Sequence, residues 1–153
     1  MKTKKRKSLD YKIPVSDWEM FGIRVFGGGK TEVLKKAEGW LLAGEKKKWI
    51  ATVNPEFVMR AVNDSGFMEI LGKTDLNVAD GIGLIWAKKV LKSKGLFPGL
   101  RAGVDVLRGK YRGQLVPGAD LMVEMCGLKK DLKIFFLGGW KDRAKRTAES
   151  IEL

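Results

Sequence analysis

The sequence predicts an α/β fold, a Rossmann-like sheet of mainly parallel strands with flanking helices, and three observations carry that prediction. Short apolar runs such as Trp49–Val53 and Thr74–Ala79 alternate with segments of helical periodicity. Two of those runs end in residues suited to ligand contact, Thr52-Val53-Asn54 and Ala79-Asp80. A right-handed crossover makes successive strands parallel, so both ends lie on one edge of the sheet, where open α/β folds form their crevice.

Composition narrows the chemistry. A chain of 153 residues, 44% hydrophobic and 31% charged, suits one folded domain with a core. No apolar run approaches the ~18–20 residues that span a bilayer. The basic start, Met1 to Lys7, lacks the apolar stretch of a secretory signal. Cys126 is the single cysteine, so an internal disulfide is excluded and a cytoplasmic location is expected. There is no histidine, which removes Ser-His-Asp and Cys-His catalysis and histidine zinc sites, while one cysteine is too few for thiolate metal sites. A general base must then be Asp or Glu, or less often Lys, Tyr or Cys. The net charge of +12 favours an anionic partner: nucleic acid, anionic lipid or a phosphorylated substrate. The basic runs lack interleaved aromatic residues, which disfavours single-stranded nucleic acid.

Residues 1–20 read as a basic, flexible tail, and 21–153 as the domain. Phe21–Phe26 is expected as the first strand. Gly27-Gly28-Gly29-Lys30-Thr31 resembles a phosphate loop only in part, because the motif's upstream glycine falls at Arg24. A turn capped by Thr31 is the better reading, followed by a helix to Ala43 that stops at Gly44. After the strand Trp49–Val53, Asn54-Pro55-Glu56 has the order of a helix start: cap, first-turn proline, acid. Helical pieces to Asn63 and from Phe67 to Leu71 lead to the strand Thr74–Ala79. Asp80 closes that strand. Gly81 and Gly83 then open a helix to Leu91 and permit close approach at its positive end. Residues 92–117, basic and glycine-rich, read as an irregular connection. A helix Leu121–Cys126 follows Asp120, and Lys133–Leu137 is expected as a core strand before a charged helix from Lys141.

Four motifs in order then support a resemblance. Thr52-Val53-Asn54-Pro55-Glu56, Ala79-Asp80-Gly81-Ile82-Gly83, Pro117-Gly118-Ala119-Asp120-Leu121 and Phe136-Leu137-Gly138-Gly139 together resemble the signature of the WecG/TagA/CpsF glycosyltransferases, from about Ile23 to the end of the chain. The resemblance implies an inverting, metal-independent enzyme with no cofactor. It would move N-acetylmannosamine, or its uronic acid, from a UDP-sugar donor to undecaprenyl-diphosphate-linked N-acetylglucosamine, at the inner face of the plasma membrane. It implies Asp80 as general base, with Thr52 and Asn54 contacting substrate beside it. Gly81 and Gly83 would leave room for the nucleotide-sugar, Gly118 and Asp120 would belong to the same crevice, and Gly138 and Gly139 would border the nucleotide pocket.

The chain departs from the family pattern in three ways. Leu115 stands where the family carries an Arg, with Arg112 the nearest substitute, and the 92–117 connection is longer than usual. The family's later Gly-x-Pro-x-Gln-Glu motif and basic tail are not in the sequence, so the chain reads as the amino-terminal part of such an enzyme, expected to be inactive alone. The competing reading is a non-catalytic basic module that binds nucleic acid or an anionic membrane and keeps a transferase-like sheet.

Overall fold

The computed structural model describes residues 17–92, 96–129 and 131–151, with the backbone alone for 96–99. It starts with a hairpin: β1, Trp18–Met20, runs antiparallel to β2, Ile23–Val25, with Trp18 opposite Val25 and Met20 opposite Ile23. Alternation buries Trp18, Met20, Ile23 and Val25 and exposes Glu19 and Arg24. The turn between them is Phe21-Gly22, both at positive φ (48° and 85°), the backbone that a tight two-residue hairpin requires. This corrects two expectations. Trp18–Met20 belong to the folded domain and not to the tail, and the single strand over 21–26 is instead a turn plus β2. Residues 1–16, with the Lys2–Lys7 cluster, lie outside the described residues.

Phe26 N donates to Asn77 O at 2.7 Å and joins the hairpin to the parallel sheet. Helix α1, Lys30–Leu42, starts at Gly29, whose N–H donates to Glu32 Oε2 at 3.1 Å. Thr31, expected as the cap, therefore lies inside the first turn. Glycine is needed at 29 because a Cβ there would stand 2.0 Å from the carbonyl oxygen of Gly113.

Strands β3, Ile50–Val53, and β4, Leu76–Ala79, pair in parallel, with Thr52 opposite Val78 and Val53 opposite Ala79. The Asp75 carboxylate sets this register at its lower end. It accepts from Trp49 N at 2.9 Å and from Lys48 Nζ at 3.0 Å, and these contacts, the Trp49 amide first, hold its pKa below the ordinary carboxylate value. The crossover contains α2, Pro55–Asn63, and α3, Ser65–Gly72, capped by Asn54 and Asp64. Both are the helices that the sequence predicts.

Helix α4, Ile82–Lys92, follows β4, and then the structure departs from the sequence reading. The connection 92–117 contains a helix, α5, Leu96–Leu107, and a 3-10 turn, Arg112–Gln114. Pro98 falls in the first turn of α5, where its missing N–H breaks no hydrogen bond. Gly103 lets α5 approach α4 closely: a Cβ there would stand 3.3 Å from Trp86 Nε1. Residues that look like helix breakers are thus tolerated by their positions. Helices α6, Gly118–Cys126, and α7, Arg143–Ser150, complete the elements.

The sheet is covered on both faces. Ala51, Val53 and Ala79 pack with Val58, Ala61, Leu71, Leu84 and Ile85 from α2, α3 and α4, and with the hairpin. Ile50, Leu76 and Val78 pack with Val33 of α1, Leu121 of α6 and Val116. The core strand expected over Lys133–Leu137 does not form. No strand among the described residues pairs with the second edge of β3, and Phe135 and Leu137 are 85% and 90% exposed. Without a ladder partner, β-propensity alone does not hold an extended segment in a sheet.

Candidate functional site

The carboxyl ends of β3 and β4 build the site. Period-two alternation places Thr52 on the same face as Ile50, and Asp80 on the same face as Leu76 and Val78, which α1 and α6 cover. Asp80 N donates to Val53 O at 2.7 Å, one step past the end of β4, so the backbone ladder fixes where the carboxylate emerges. Val116 N donates to Ala79 O at 2.8 Å, which brings Pro117 and the start of α6 over the same strand ends.

These constraints converge on Gly118. A Cβ at Gly118 would stand 3.0 Å from Thr52 Oγ1 and 3.2 Å from Asp80 Oδ2. A hydroxyl, a carboxylate and a bare stretch of backbone thus share one space. Both side chains are half-buried. Among the described residues neither the Thr52 hydroxyl nor the Asp80 carboxylate has a side-chain partner, so both stay available to a ligand. Helices α2, α4 and α6 all begin around these strand ends, at Pro55, Ile82 and Gly118, and their positive ends favour anionic groups. The residue capping α6 is Pro117, which offers no side-chain cap to its first amides.

The other predicted residues fall into three places. Asn54 Oδ1 accepts from Phe57 N at 2.9 Å, so the oxygen caps α2 and leaves the amide nitrogen free to reach a ligand. Gly81, at φ +110°, and Gly83 turn their bare sides to Pro55; a Cβ would meet its ring atoms at 3.7 and 3.3 Å. In this structure they let the start of α4 lie against the start of α2. Asp120 is exposed in the first turn of α6 and lines a cleft of about 630 Å³ with Lys30, Arg112, Leu115 and Ile82. Lys30 ion-pairs there with Glu124, which raises its pKa above the ordinary lysine value.

Gly138 and Gly139 stand apart. Nothing lies within 4 Å of a Cβ on Gly138, and Gly139 faces Arg143 of the following helix. Neither has an atom of Thr52 or Asp80 within 4 Å of its Cβ position. The segment just before them does come close: Leu132–Leu137 lines a cleft of about 860 Å³ together with Thr52, Gly118, Trp40 and Met125. Among the described residues no three His, Cys, Asp or Glu gather as a metal site, and no helix is long and apolar enough to cross a membrane.

Sequence reasoning missed Asn77, buried in β4. Its Nδ2 donates to Arg24 O and Leu71 O, both at 3.0 Å, and its Oδ1 accepts from Thr74 Oγ1 at 2.9 Å. A polar residue inside an apolar strand was the available signal. Gly113 and Val116 gave none, because their contacts to Gly29 and Ala79 are long-range.

The family model described as "Glycosyl transferase WecG/TagA/CpsF family" matches residues 18–153. An N-acetylglucosaminyldiphosphoundecaprenol N-acetyl-beta-D-mannosaminyltransferase of Bacillus subtilis (strain 168) is 26% identical over 104 residues, covering 67% of this chain and 34% of that protein. The match therefore spans about a third of the relative's length.

Proposed function

This chain belongs to the WecG/TagA/CpsF family of glycosyl transferases, and on that premise we propose that it carries the base and donor-side residues of an inverting, metal-independent hexosyltransferase. The donor is a UDP-sugar of the N-acetylmannosamine type, or its uronic acid. The acceptor is N-acetylglucosamine on an undecaprenyl diphosphate, and the product enters a cell-surface polysaccharide or teichoic acid. The protein works at the cytoplasmic face of the membrane without a cofactor.

The observation that supports this reading is the convergence of Thr52 and Asp80 on Gly118. Asp80 removes the proton from the acceptor hydroxyl as its oxygen attacks the anomeric carbon. The bond from that carbon to the UDP oxygen breaks, UDP leaves with the electron pair, and the configuration inverts. Thr52 orients the reacting groups by hydrogen bonding. The positive ends of α2, α4 and α6 stabilise the charge of the departing diphosphate. Arg112, lining the same cleft as Leu115, takes the place of the family arginine.

UDP binding tests the proposal, because a ligand that binds only the folded state raises the melting temperature. UDP is expected to stabilise the protein, and Gly118→Val, which fills the space between Thr52 and Asp80, to abolish that shift. No shift with UDP at millimolar concentration overturns the reading. A UDP shift left intact by Gly118→Val would move the site elsewhere.

A further inference from the structure

We infer that the exposed ridge of α5, together with Trp86 of α4, is a docking surface for an anionic lipid bilayer. Leu100, Val104 and Leu107 occupy positions i, i+4 and i+7 of α5, an arc of about 60° on a helix of 3.6 residues per turn. All three are exposed, Leu100 at 63% and Leu107 at 84%. Val106 faces inward and is buried, and Gly103 lies against Trp86, whose half-exposed indole continues the apolar ridge on one side. Arg101 and Arg108 flank the ridge on the other side; both are exposed and neither has an ion-pair partner among the described residues. This is the pattern of an interfacial helix, with an apolar ridge, a tryptophan and flanking cations.

Charge selects the partner. Between Gly81 and Ala119 the sequence has five Lys and three Arg against one acid, Asp105, and Asp105 is paired with Lys110 at 3.1 Å. A second copy of the chain is a poor occupant: a two-fold contact would press this predominantly basic face against itself, with Asp120 at the end of the ridge as the one exposed acid there without an ion pair among the described residues to offset it. An anionic bilayer offers both a hydrocarbon boundary for the leucines and negative headgroups for the arginines. The ridge ends at the cleft that holds Arg112 and Asp120, since Leu107 lines that cleft too. A protein seated this way would present its candidate site at headgroup level, as a lipid-linked acceptor needs. The inference itself stands on exposure and charge, and it does not require sugar transfer.

Vesicle co-sedimentation of the whole chain, without sugar nucleotide or lipid-linked sugar, tests it. The protein is expected to bind vesicles of phosphatidylcholine mixed with phosphatidylglycerol and to bind pure phosphatidylcholine at least about tenfold more weakly, with affinity falling as salt rises. Leu100→Glu/Leu107→Glu is expected to lose about tenfold or more in affinity with an unchanged thermal unfolding curve, since both side chains point to solvent. Arg101→Glu/Arg108→Glu should weaken binding and flatten its salt dependence. Full binding by the leucine variant would overturn the proposal. So would binding lost on replacing the Lys2–Lys7 cations with serine while the leucine variant still binds. Self-association that the leucine variant abolishes, with no vesicle binding by either protein, would assign the ridge to a second copy and overturn it equally.

Discussion

Thr52 Oγ1 and Asp80 Oδ2 belong to neighbouring parallel strands, and they meet at one point, 3.0 and 3.2 Å from where a Cβ on Gly118 would stand. Thr52 Cγ2 is also 3.2 Å from that point, so Thr52 supplies two of the three close atoms. A β-branched side chain has little rotameric freedom to withdraw. Gly118→Ala is therefore expected to destabilise by about 1 kcal/mol, within the usual range for overpacking, and to remove stabilisation by UDP. Adding Thr52→Ala should restore the unfolding midpoint without restoring the UDP shift. A double-mutant cycle in urea, with and without UDP, separates the two effects.

Two glycines of α1 and its cap should respond in opposite directions. At Gly29 a Cβ would be driven to 2.0 Å from the Gly113 carbonyl oxygen, a backbone atom that cannot rotate away, while around Gly39 nothing lies within 4 Å. Gly29→Ala is expected to cost about 3 kcal/mol. Gly39→Ala, in a helix interior, is expected to gain about 0.5–1 kcal/mol. Paired urea titrations check both signs.

Asn77 ties β4 to the hairpin and to the end of α3 through the carbonyls of Arg24 and Leu71. Asn77→Leu keeps the volume and leaves the Arg24 carbonyl without this donor, while the Leu71 carbonyl keeps the Thr74 hydroxyl at 2.9 Å, at an expected cost of about 2 kcal/mol. Asn77→Asp also faces a carboxylate to those oxygens and is expected to unfold more readily still at neutral pH. Thermal melts of the two variants establish the order.

The parts legible in the sequence were those fixed locally. Asn54-Pro55-Glu56 encodes a helix start by residue type alone, and alternation together with a crossover of suitable length places Thr52 and Asp80 on one edge. Other features depend on partners far along the chain. The helix α5 was hidden by the glycines of 92–117, because only the long-range contact of Gly103 with Trp86 shows what a glycine there is for. Helix α1 is capped at Gly29 and not at Thr31, through the Glu32 carboxylate, while the close approach of Gly113, which requires glycine there, is long-range. Gly118 was legible as a motif residue, but its role as a spacer between two side chains needed the fold.

Lys88 gives the protein an alkaline pH dependence. Burial, with Lys92 and Lys89 adding to it, pushes its pKa down to about 8 from 10.5. The Trp18 ring, 4.6 Å below the ammonium, attracts the charge and works against that shift without cancelling it. Between the folded and unfolded pKa values the unfolded chain binds more protons, so stability rises as pH increases from about 8 towards 10.5. Below 8 the depressed pKa is a full penalty. Lys88→Met keeps the aliphatic contact with Trp18 and removes the titration. It is expected to be more stable than the parent at pH 7, with the difference shrinking through this window. Melting curves across pH for both proteins report the difference directly.

Phe135 and Leu137 test how far strand-like sequence can act without a strand to pair with. A buried core strand would lose roughly 3–5 kcal/mol on Phe→Ala truncation. In the structure both side chains face solvent, while β3 keeps an edge with no strand partner among the described residues. Phe135→Ser and Leu137→Ser are therefore expected to change unfolding free energy by no more than about 0.5 kcal/mol. They should also reduce aggregation, because an open edge beside exposed aromatic residues invites intermolecular pairing. A loss of several kcal/mol in urea would mean that Lys133–Leu137 pairs with β3 in solution and covers the cleft that it shares with Thr52.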